Sequence, residues 1–285
     1  MLSYRHIYHA GNVADVFKHA TLTLVLQALQ RKSTPLCYLE THSGAGHYDL
    51  TDAPAVRTAE YTQGIMRLWQ SPEIPDALAP YMNILHADNP DTDSSGMPAL
   101  TRYPGSPCIA RALLRPQDRM ILCELHNTDI QGLRGVFHGD KQVAIHHQDG
   151  YQGLEAFLPP RENRGLVLID PPYELRNEFL RAYEQLQAAH KRWPTGCYML
   201  WYPLISDYPI AALHKNFCTS GIRKILLCEL SVSNPPSPRM TGSGLIIINP
   251  PWQLDSEMTG LLPWLWQCLA PEKTGAWKVR WLVPE

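Results

Sequence analysis

A carboxylate, two prolines and an aromatic ring follow directly on an apolar run in the middle of the chain. The run covers residues 166–169, and the motif after it, 170–173, reads Asp-Pro-Pro-Tyr. The exocyclic amine of a nucleobase is a poor nucleophile because its lone pair is delocalised, and acceptors beside its N–H groups favour the pyramidal form that can attack. Asp170 and the Pro171 carbonyl are suitable acceptors, and Tyr173 offers a ring face on which a flipped base can stack. The motif therefore predicts chemistry at the amino group of a base.

An Asp or Asn followed by two prolines and an aromatic residue is typical of amino-group methyltransferases, and the chain contains this pattern twice. The second copy reads Asn-Pro-Pro-Trp at 249–252, and in a chain with 25 prolines such a turn can also simply end a buried strand. In an open α/β sheet the reactive loops lie at the carboxyl ends of parallel strands. Asp170 follows the fourth predicted strand, whereas Asn249 lies late in the chain. We therefore predict a structural turn at Asn249 and catalytic roles for Asp170, Pro171 and Tyr173.

A glycine-containing turn and acidic residues follow three successive predicted strands. The first strand, 36–40, runs into Thr-His-Ser-Gly-Ala-Gly at 41–46, where glycines let backbone N–H groups approach a ligand closely. Glu124 ends the second strand and can accept hydrogen bonds from both hydroxyls of a ribose. Asp149 and Gly150 end the third strand, where the acid can meet an adenine amine. Each feature alone is equally well a tight turn or a solvated strand end, but the ordered set predicts a pocket for S-adenosylmethionine.

Helices in the first part of the chain are expected to help position these loops. Apolar residues spaced from Val13 to Leu29 predict a helix with Asn12 as its N-cap, after a polar and aromatic tail. Residues 48–99 then break the alternation of strands and helices, with helix candidates near 57–70 and 75–87 and a polar, mobile loop at 87–99. We therefore predict three units: a tail at 1–12, a core at 13–47 and 100–285, and an inserted helical subdomain at 48–99.

The second part of the chain alternates strands with helices, which indicates an α/β fold with crossover helices. A helix is predicted to start with Ser106 as its cap and Pro107 in the first helical position. Including the first strand, there are eight candidates, at least one more than we expect the sheet to need. The seven later candidates are 119–125, 142–147, 165–170, 196–203, 223–232, 244–249 and 276–283.

Composition excludes some functions and weakens others. No run of 18 apolar residues is present, so a membrane-spanning helix is not expected. The amino terminus lacks the apolar stretch of a signal peptide, and the seven cysteines form no Cys-x-x-Cys pair, so we expect a cytoplasmic protein. Twenty-five Lys and Arg against 27 Asp and Glu argue mildly against binding to nucleic acid by phosphate neutralisation alone.

Twelve histidines are unusual, but none has the spacing of a metal site, and we predict no metal. The amino-terminal group of aromatic and basic residues can touch RNA or close over a ligand, although a solvated tail is equally consistent with its composition. The members of this group are Tyr4, Arg5, His6, His9, Lys18 and His19.

Longer motifs along the whole chain resemble those of the RlmJ family of bacterial 23S rRNA (adenine-N6)-methyltransferases. They include HAGN at 9–12, YPGSP at 103–107, LIDPPYE at 168–174, WYP at 201–203 and WLVPE at 281–285. The resemblance implies a Rossmann-like class I methyltransferase core with an inserted helical subdomain. It also implies S-adenosylmethionine as cofactor and methylation of one flipped adenine of 23S rRNA, adenine 2030. A monomer without an obligate protein partner is expected.

The resemblance also assigns roles to single residues. Tyr4 matches the substrate-contacting tyrosine of a tail that closes over the cofactor, and Lys18 lies in the same substrate-binding motif. Two alternatives remain open from the residues themselves: a DNA adenine-N6 methyltransferase, and a non-catalytic nucleic-acid-binding protein of DNA utilisation. The positions that match the family's cofactor contacts are His19, His42, Ser106, Glu124, Asp149, Gly150 and Asp170.

Overall fold

The computed structural model describes residues 4–92, 98–175, 177–205, 209–234, 240–270 and 272–285. The strands in these parts of the chain are β1 Cys37–Glu40, β2 His47–Asp49, β3 Arg102–Pro104, β4 Arg119–Glu124, β5 Val143–His147, β6 Gly165–Ile169, β7 Cys197–Leu204, β8 Ile225–Ser231, β9 Gly242–Ile248 and β10 Ala276–Val283. The α-helices are α1 Val13–Gln30, α2 Ala53–Thr58, α3 Ile65–Trp69, α4 Ala79–Asp88, α5 Ser106–Leu113, α6 Asn127–Val136, α7 Gly150–Phe157, α8 Glu178–Arg192, α9 Ile210–Thr219 and α10 Leu254–Leu269. None of these helices is long and apolar enough to cross a membrane.

Eight of the strands form one sheet in the order β10-β8-β9-β7-β6-β1-β4-β5. Strands β5, β4, β1, β6 and β7 are parallel, whereas β9 runs antiparallel to both of its neighbours and β10 runs antiparallel to β8. The order of the parallel strands around β1 is that of a doubly wound Rossmann-like sheet. The predicted α/β fold is therefore confirmed.

All eight strand candidates lie in this sheet, with ends within two residues of those predicted. The expectation that eight was too many was wrong, because β9 inserts between β7 and β8 and β10 then extends the edge. The separate two-stranded antiparallel sheet formed by β2 and β3 was not predicted. Two apolar layers cover the sheet: α1, α5 and α10 contribute to one core cluster, and α7, α8 and α9 contribute to the other.

Helix α1 has the boundaries that its sequence predicts. The Asn12 side chain caps it by accepting the backbone N–H of Asp15 at 2.9 Å. Most of the helix is buried against the sheet, including five residues with polar side chains: Asp15, Lys18, His19, Thr21 and Thr23. A buried lysine requires a charged partner, so α1 already points to a site at its first turns.

The segment between β2 and β3 contains one of the two helices predicted there. The helix predicted at 75–87 is confirmed, because a 3-10 turn at 76–78 continues directly into α4. The helix predicted at 57–70 was wrong, because Ala59 adopts a left-handed conformation after α2, a 3-10 turn follows at 60–62, and Gly64 caps the start of α3. A side chain at Gly64 would collide with the backbone of Gly11, whose carbonyl accepts the N–H of Ile65. Residues 93–97 of the predicted mobile loop lie outside the described residues.

Helix α5 begins one residue earlier than predicted. Gly105 is its N-cap and Ser106 is already helical, so the prediction of Ser106 as cap was wrong. Pro107 consequently lies in the second helical position and not in the first, still within the first turn, where a proline is tolerated. The Ser106 hydroxyl instead donates a hydrogen bond to the Glu40 carboxyl at the end of β1. The start of α5 is thereby joined to the central strand.

Candidate active site

A cavity of about 780 Å³ opens where β1, β4 and β6 end. This is the edge of a doubly wound sheet at which ligands bind. Asp149 and Gly150 are not part of its lining. Nine of the residues predicted from the sequence line the cavity: Tyr4, Lys18, His19, His42, Ser106, Glu124, Asp170, Pro171 and Tyr173.

The predicted catalytic carboxylate is held by a buried ammonium group. Lys18 Nζ lies 2.6 Å from Asp170 Oδ2 and 3.0 Å from Asp15 Oδ1, and Lys18 is only 4% exposed. Burial alone would lower the pKa of Lys18, but the carboxylates of Asp15 and Asp170 outweigh it and raise that pKa. Lys18 is therefore a permanent cation, and one oxygen of Asp170 is occupied. No hydrogen bond to Asp170 Oδ1 is formed by the described residues, which leaves this oxygen for a ligand.

The described part of the tail folds over the cavity. The Tyr4 hydroxyl lies 2.8 Å from His6 Nδ1, and the Tyr4 ring stacks on His9 with 5.5 Å between ring centroids. His6 Nε2 lies 2.8 Å from Asp15 Oδ2. Burial and the charges of Asp170 and Asp15 raise the pKa of Tyr4, so its phenol stays protonated. The tail thus reaches Asp15, one of the two carboxylates that hold Lys18.

A second carboxyl group, Glu40, lies buried at the end of β1. Tyr38 donates its hydroxyl to Glu40 Oε2 at 2.8 Å, and Ser106 donates to Oε1. Burial raises the pKa of Glu40 to about 8. The sequence predicts Glu40 only as the last residue of the first strand, before the glycine turn, because burial of that depth is not visible in the local pattern.

The substitution Glu40→Gln is expected to weaken the pH dependence of stability. A carboxyl group whose pKa is higher in the folded than in the unfolded chain stabilises the protein in acid, and this contribution is lost as pH rises toward the folded-state pKa. Between about pH 6 and about pH 9, the free energy of unfolding should fall by about 2–3 kcal/mol less in Glu40→Gln than in the wild type. Urea unfolding at both pH values measures this difference. Parallel pH curves would show that Glu40 ionises normally.

Glu124 joins the ends of β1 and β4. Its oxygens accept the backbone N–H groups of Gly44 and His126, each at 2.7 Å, and burial raises its pKa. The carboxyl group is thus fixed at the cavity wall with acceptor capacity remaining. That position agrees with the predicted contact to a ribose.

Asp149 follows β5, as predicted, but it does not line the cavity. Its carboxylate caps α7 by accepting the N–H of Tyr151, and it lies 2.9 Å from Arg181 Nη2. Although burial opposes it, these contacts lower the pKa of Asp149. Gly150 packs against the Thr41 carbonyl so closely that any side chain there would collide. Both residues shape the loop behind the cavity wall.

Three buried polar atoms in the lining make no hydrogen bond within the described part of the chain. They are His19 Nε2, Ser43 Oγ and Trp201 Nε1. Burial lowers the pKa of His19, although Asp15 opposes it, and burial lowers the pKa of His42 to about 4, so both imidazoles are neutral. Unpaired buried polar atoms are costly, and they indicate a polar ligand. Ser43 was not singled out from the sequence, although it lies in the predicted glycine turn.

The aromatic residue of the motif is fixed by its surroundings. Tyr173 is 4% exposed, and its hydroxyl donates to the Trp201 carbonyl at 2.7 Å. Its ring contacts those of Phe179 and Trp201. Its backbone is left-handed, a conformation that costs about 1–2 kcal/mol for a residue with a side chain. The turn after β6 is therefore held in one strained shape beside Asp170.

The second copy of the motif lies at the opposite edge of the sheet. Because β9 is antiparallel to β7, its carboxyl end lies where β7 begins. The Asn249 side chain donates to the carbonyls of Pro194 and Gly196 at 2.8 and 2.9 Å. Asn249 therefore forms the structural turn that its position in the sequence predicts.

The antiparallel strand β9 between β7 and β8, together with a cavity at the carboxyl edge of β1, β4 and β6, defines a class I methyltransferase fold. A family model described as Ribosomal RNA large subunit methyltransferase D, RlmJ, matches residues 33–283. The chain therefore belongs to the RlmJ family, and the resemblance in its motifs is confirmed.

Similar proteins agree with this family along the full chain. A protein of Escherichia coli K12 named Ribosomal RNA large subunit methyltransferase J is 46% identical over 287 aligned positions, covering all of both chains. A protein of the same name from Haemophilus influenzae is 44% identical over 286 positions, again covering both chains. The crystal structure of protein LPL1258 from Legionella pneumophila superimposes with a TM-score of 0.85 at 38% identity, covering 96% of this chain and 98% of that one.

Proposed function

We propose that this protein transfers the methyl group of S-adenosylmethionine to N6 of one adenine of 23S rRNA, adenine 2030 by family resemblance. The observation that carries the proposal is the Asp170 carboxylate at the end of β6, which Lys18 orients in the cavity while leaving Oδ1 accessible to a substrate amine. The motif predicts this acceptor, and the family supports the ribosomal RNA substrate.

The lining of the cavity fits S-adenosylmethionine. Glu124 would accept hydrogen bonds from the ribose hydroxyls, and the unpaired His19 Nε2 and Ser43 Oγ would bind polar groups of the ligand. Bound there, the cofactor supplies a methyl group on a positively charged sulfur, which is already a good leaving group. The protein therefore needs to provide position and hydrogen bonds, and no metal ion is required.

The residues after β6 would bind the substrate base. Asp170 Oδ1 and the Pro171 carbonyl accept the N–H groups of the amine, which concentrates its lone pair toward the methyl group. Tyr173 and Trp201 form the aromatic side of this pocket, and Tyr4 covers it from the tail. A duplex buries the amine, so the base must be unpaired or flipped before it can enter.

The experiment that tests the proposal offers three acceptors in parallel: protein-free 23S rRNA, assembled ribosomes and genomic DNA, each with labelled S-adenosylmethionine. We expect label in at least one of the two RNA samples and none in DNA. Label in DNA alone would replace the proposed substrate with that of a DNA adenine methyltransferase. Absence of transfer to every acceptor, together with absence of cofactor binding, would favour a non-catalytic binding protein.

The substitution Glu124→Gln is expected to raise the Kd for S-adenosylmethionine about 10- to 100-fold. An amide cannot accept from Gly44 N, His126 N and a ribose as a carboxylate does, and a charge-assisted hydrogen bond contributes about 1.5–3 kcal/mol. Titration calorimetry measures the change, with Glu155→Gln on the exposed side of α7 as the matched control. A Kd within about twofold of the wild-type value would place the ribose elsewhere.

A further inference from the structure

Asp15 is a buried carboxylate with no role predicted from the sequence. It contacts the tail, and through Lys18 it contacts the catalytic pair, which is the ion pair of Lys18 with Asp170. Its Oδ2 lies 2.8 Å from His6 Nε2 and accepts the backbone N–H of Gly11 at 2.9 Å. Its Oδ1 lies 3.0 Å from Lys18 Nζ and 3.8 Å from His19 Nε2. Asp15 is 2% exposed, so these contacts are shielded from water.

The position of Asp15 on α1 explains how one side chain reaches all of these groups. Lys18 and His19 follow it by three and four residues, which places them on the same face of the helix. The backbone N–H of Asp15 is itself held by the Asn12 cap. The first turn of α1 therefore fixes the carboxylate, and the carboxylate in turn fixes its partners.

We propose that Asp15 is a positioning residue that couples docking of the tail to the orientation of the catalytic carboxylate: one of its oxygens binds His6 and the other holds Lys18 against Asp170. The inference rests on the proposed function, because it assigns a task to Asp170. It adds a residue that touches neither substrate nor cofactor in that proposal and acts through the side chains it holds, chiefly His6 and Lys18, with His19 farther away at 3.8 Å.

Electrostatics explains why the coupling affects the reaction. Lys18 interacts with two carboxylates, and each of them weakens the interaction of the ammonium group with the other. Without the charge of Asp15, Lys18 would pair with Asp170 alone and compete more strongly with a substrate amine for its oxygens. The tail would lose its buried attachment at the same time, so an undocked tail and a less available Asp170 would occur together.

A second carboxylate provides a matched control because it holds the tail without touching Lys18. Glu60 lies 3.0 Å from His9 Nδ1 and accepts the side-chain N–H of Asn12 at 2.9 Å. The side chains of His9 and Glu60 are 38% and 37% exposed, so this attachment is more strongly screened by solvent than the one at Asp15. Loss of Glu60 should loosen the tail and leave the catalytic pair in place.

The test compares Asp15→Asn, Asp15→Glu, Glu60→Gln and Lys18→Met with the full-length wild type in two measurements. Tail docking is followed by the rate of trypsin cleavage after Arg5, an exposed residue of the tail, at low temperature where circular dichroism shows each variant folded. Catalysis is followed as kcat and KM with 23S rRNA. The cleavage measurement does not depend on enzymatic activity.

We expect Asp15→Asn to speed cleavage after Arg5 at least tenfold and to lower kcat about 100-fold, a size typical of a lost positioning contact. Asp15→Glu should recover part of both losses. Glu60→Gln should speed cleavage while lowering kcat less than about fivefold. Lys18 makes no hydrogen bond to residues 4–9, yet Lys18→Met should slow cleavage. Without Lys18, Asp15 would interact more strongly with His6 and hold the tail more tightly.

Three results would overturn the inference. The first is a folded Asp15→Asn variant with kcat within threefold of the wild type, and the second is an equal loss of kcat in Glu60→Gln, which would make the effect one of the tail alone. The third is an unchanged cleavage rate in both Asp15→Asn and Lys18→Met. If Asp15→Asn does not fold, the Asp15→Glu variant decides: a cleavage rate and a kcat both equal to those of the wild type would overturn the inference. A wild type that methylates no nucleic acid would refute the proposed function, while the cleavage rates would still test the coupling.

Discussion

The substitution Asp170→Ala is expected to lower kcat for methyl transfer by about 10³-fold or more while the protein remains folded and binds S-adenosylmethionine. The variant loses the acceptor that the proposal places against the amine, and removal of a single preorganised hydrogen-bonding group from a reaction centre has effects of that size. Folding should survive because Lys18 keeps Asp15 as its counter-ion. Single-turnover methylation of 23S rRNA and calorimetric titration with the cofactor measure the two properties.

The other copy of the motif supplies the control for this experiment. Asn249→Ala removes two hydrogen bonds to backbone carbonyls and places alanine at a left-handed position, which should cost about 1–2 kcal/mol of stability. Its kcat should equal that of the wild type, because Asn249 lies at the opposite edge of the sheet. Full activity in Asp170→Ala, or loss of activity in Asn249→Ala alone, would show that the first copy of the motif is not the reaction centre.

The substitution Lys18→Met is expected to have the largest effect on stability, lowering the free energy of unfolding by about 3–5 kcal/mol at neutral pH. It leaves Asp15 buried and Asp170 partly buried without their shared cation. It should also lower kcat about 100-fold, since nothing then fixes Asp170 Oδ2. Urea unfolding and the methylation assay measure these effects, and Lys18→Arg, which keeps the charge, should retain more stability than Lys18→Met.

The pH dependence of this loss has a definite sign. Burial opposes ionisation of Asp15, but His6 and Lys18 outweigh it and hold its pKa well below the ordinary value of 3.8. A carboxylate with a lowered pKa stabilises the fold above its unfolded-state pKa, and that contribution disappears as pH falls through the folded-state pKa. The stability difference between wild type and Lys18→Met should therefore be full at neutral pH and shrink in acid. A difference that grows as pH falls below about 4 would contradict the ion pair.

Local patterns in the sequence predicted most of the fold. Strands such as 165–170 and 119–125 are continuous apolar runs of the kind that a sheet buried on both faces requires, and the helix after Asn12 carries its own cap. The region between β2 and β3 was predicted less well, because the left-handed Ala59 and the close contact at Gly64 depend on partners outside the local pattern. The bounds of β10 were predicted, but its place as an added edge strand follows from pairing with β8 across the chain and could not be predicted.

Candidate site residues could be predicted where a motif or a position at a strand end indicates the chemistry. Asp170 and Glu124 were predicted because acids at strand ends meet at one edge of a parallel sheet. Glu40 and Asp15 could not be assigned in this way. The role of Glu40 depends on burial and on Ser106, a partner more than sixty residues away, and the role of Asp15 depends on burial and on its contact with the tail. The spacing of Asp15, Lys18 and His19 on one helix face was nevertheless a usable signal.

In the proposed reaction, the Asp170 site methylates N6 of a single adenine in 23S rRNA. The most direct test is to incubate unmodified 23S rRNA with the protein and S-adenosylmethionine, digest the product to nucleosides, and map the modified position by mass spectrometry of the fragments. The account predicts N6-methyladenosine at one position, absent with Asp170→Ala and present with Asn249→Ala. Methyl groups on another base or another atom of adenine, or the same product from Asp170→Ala, would contradict it.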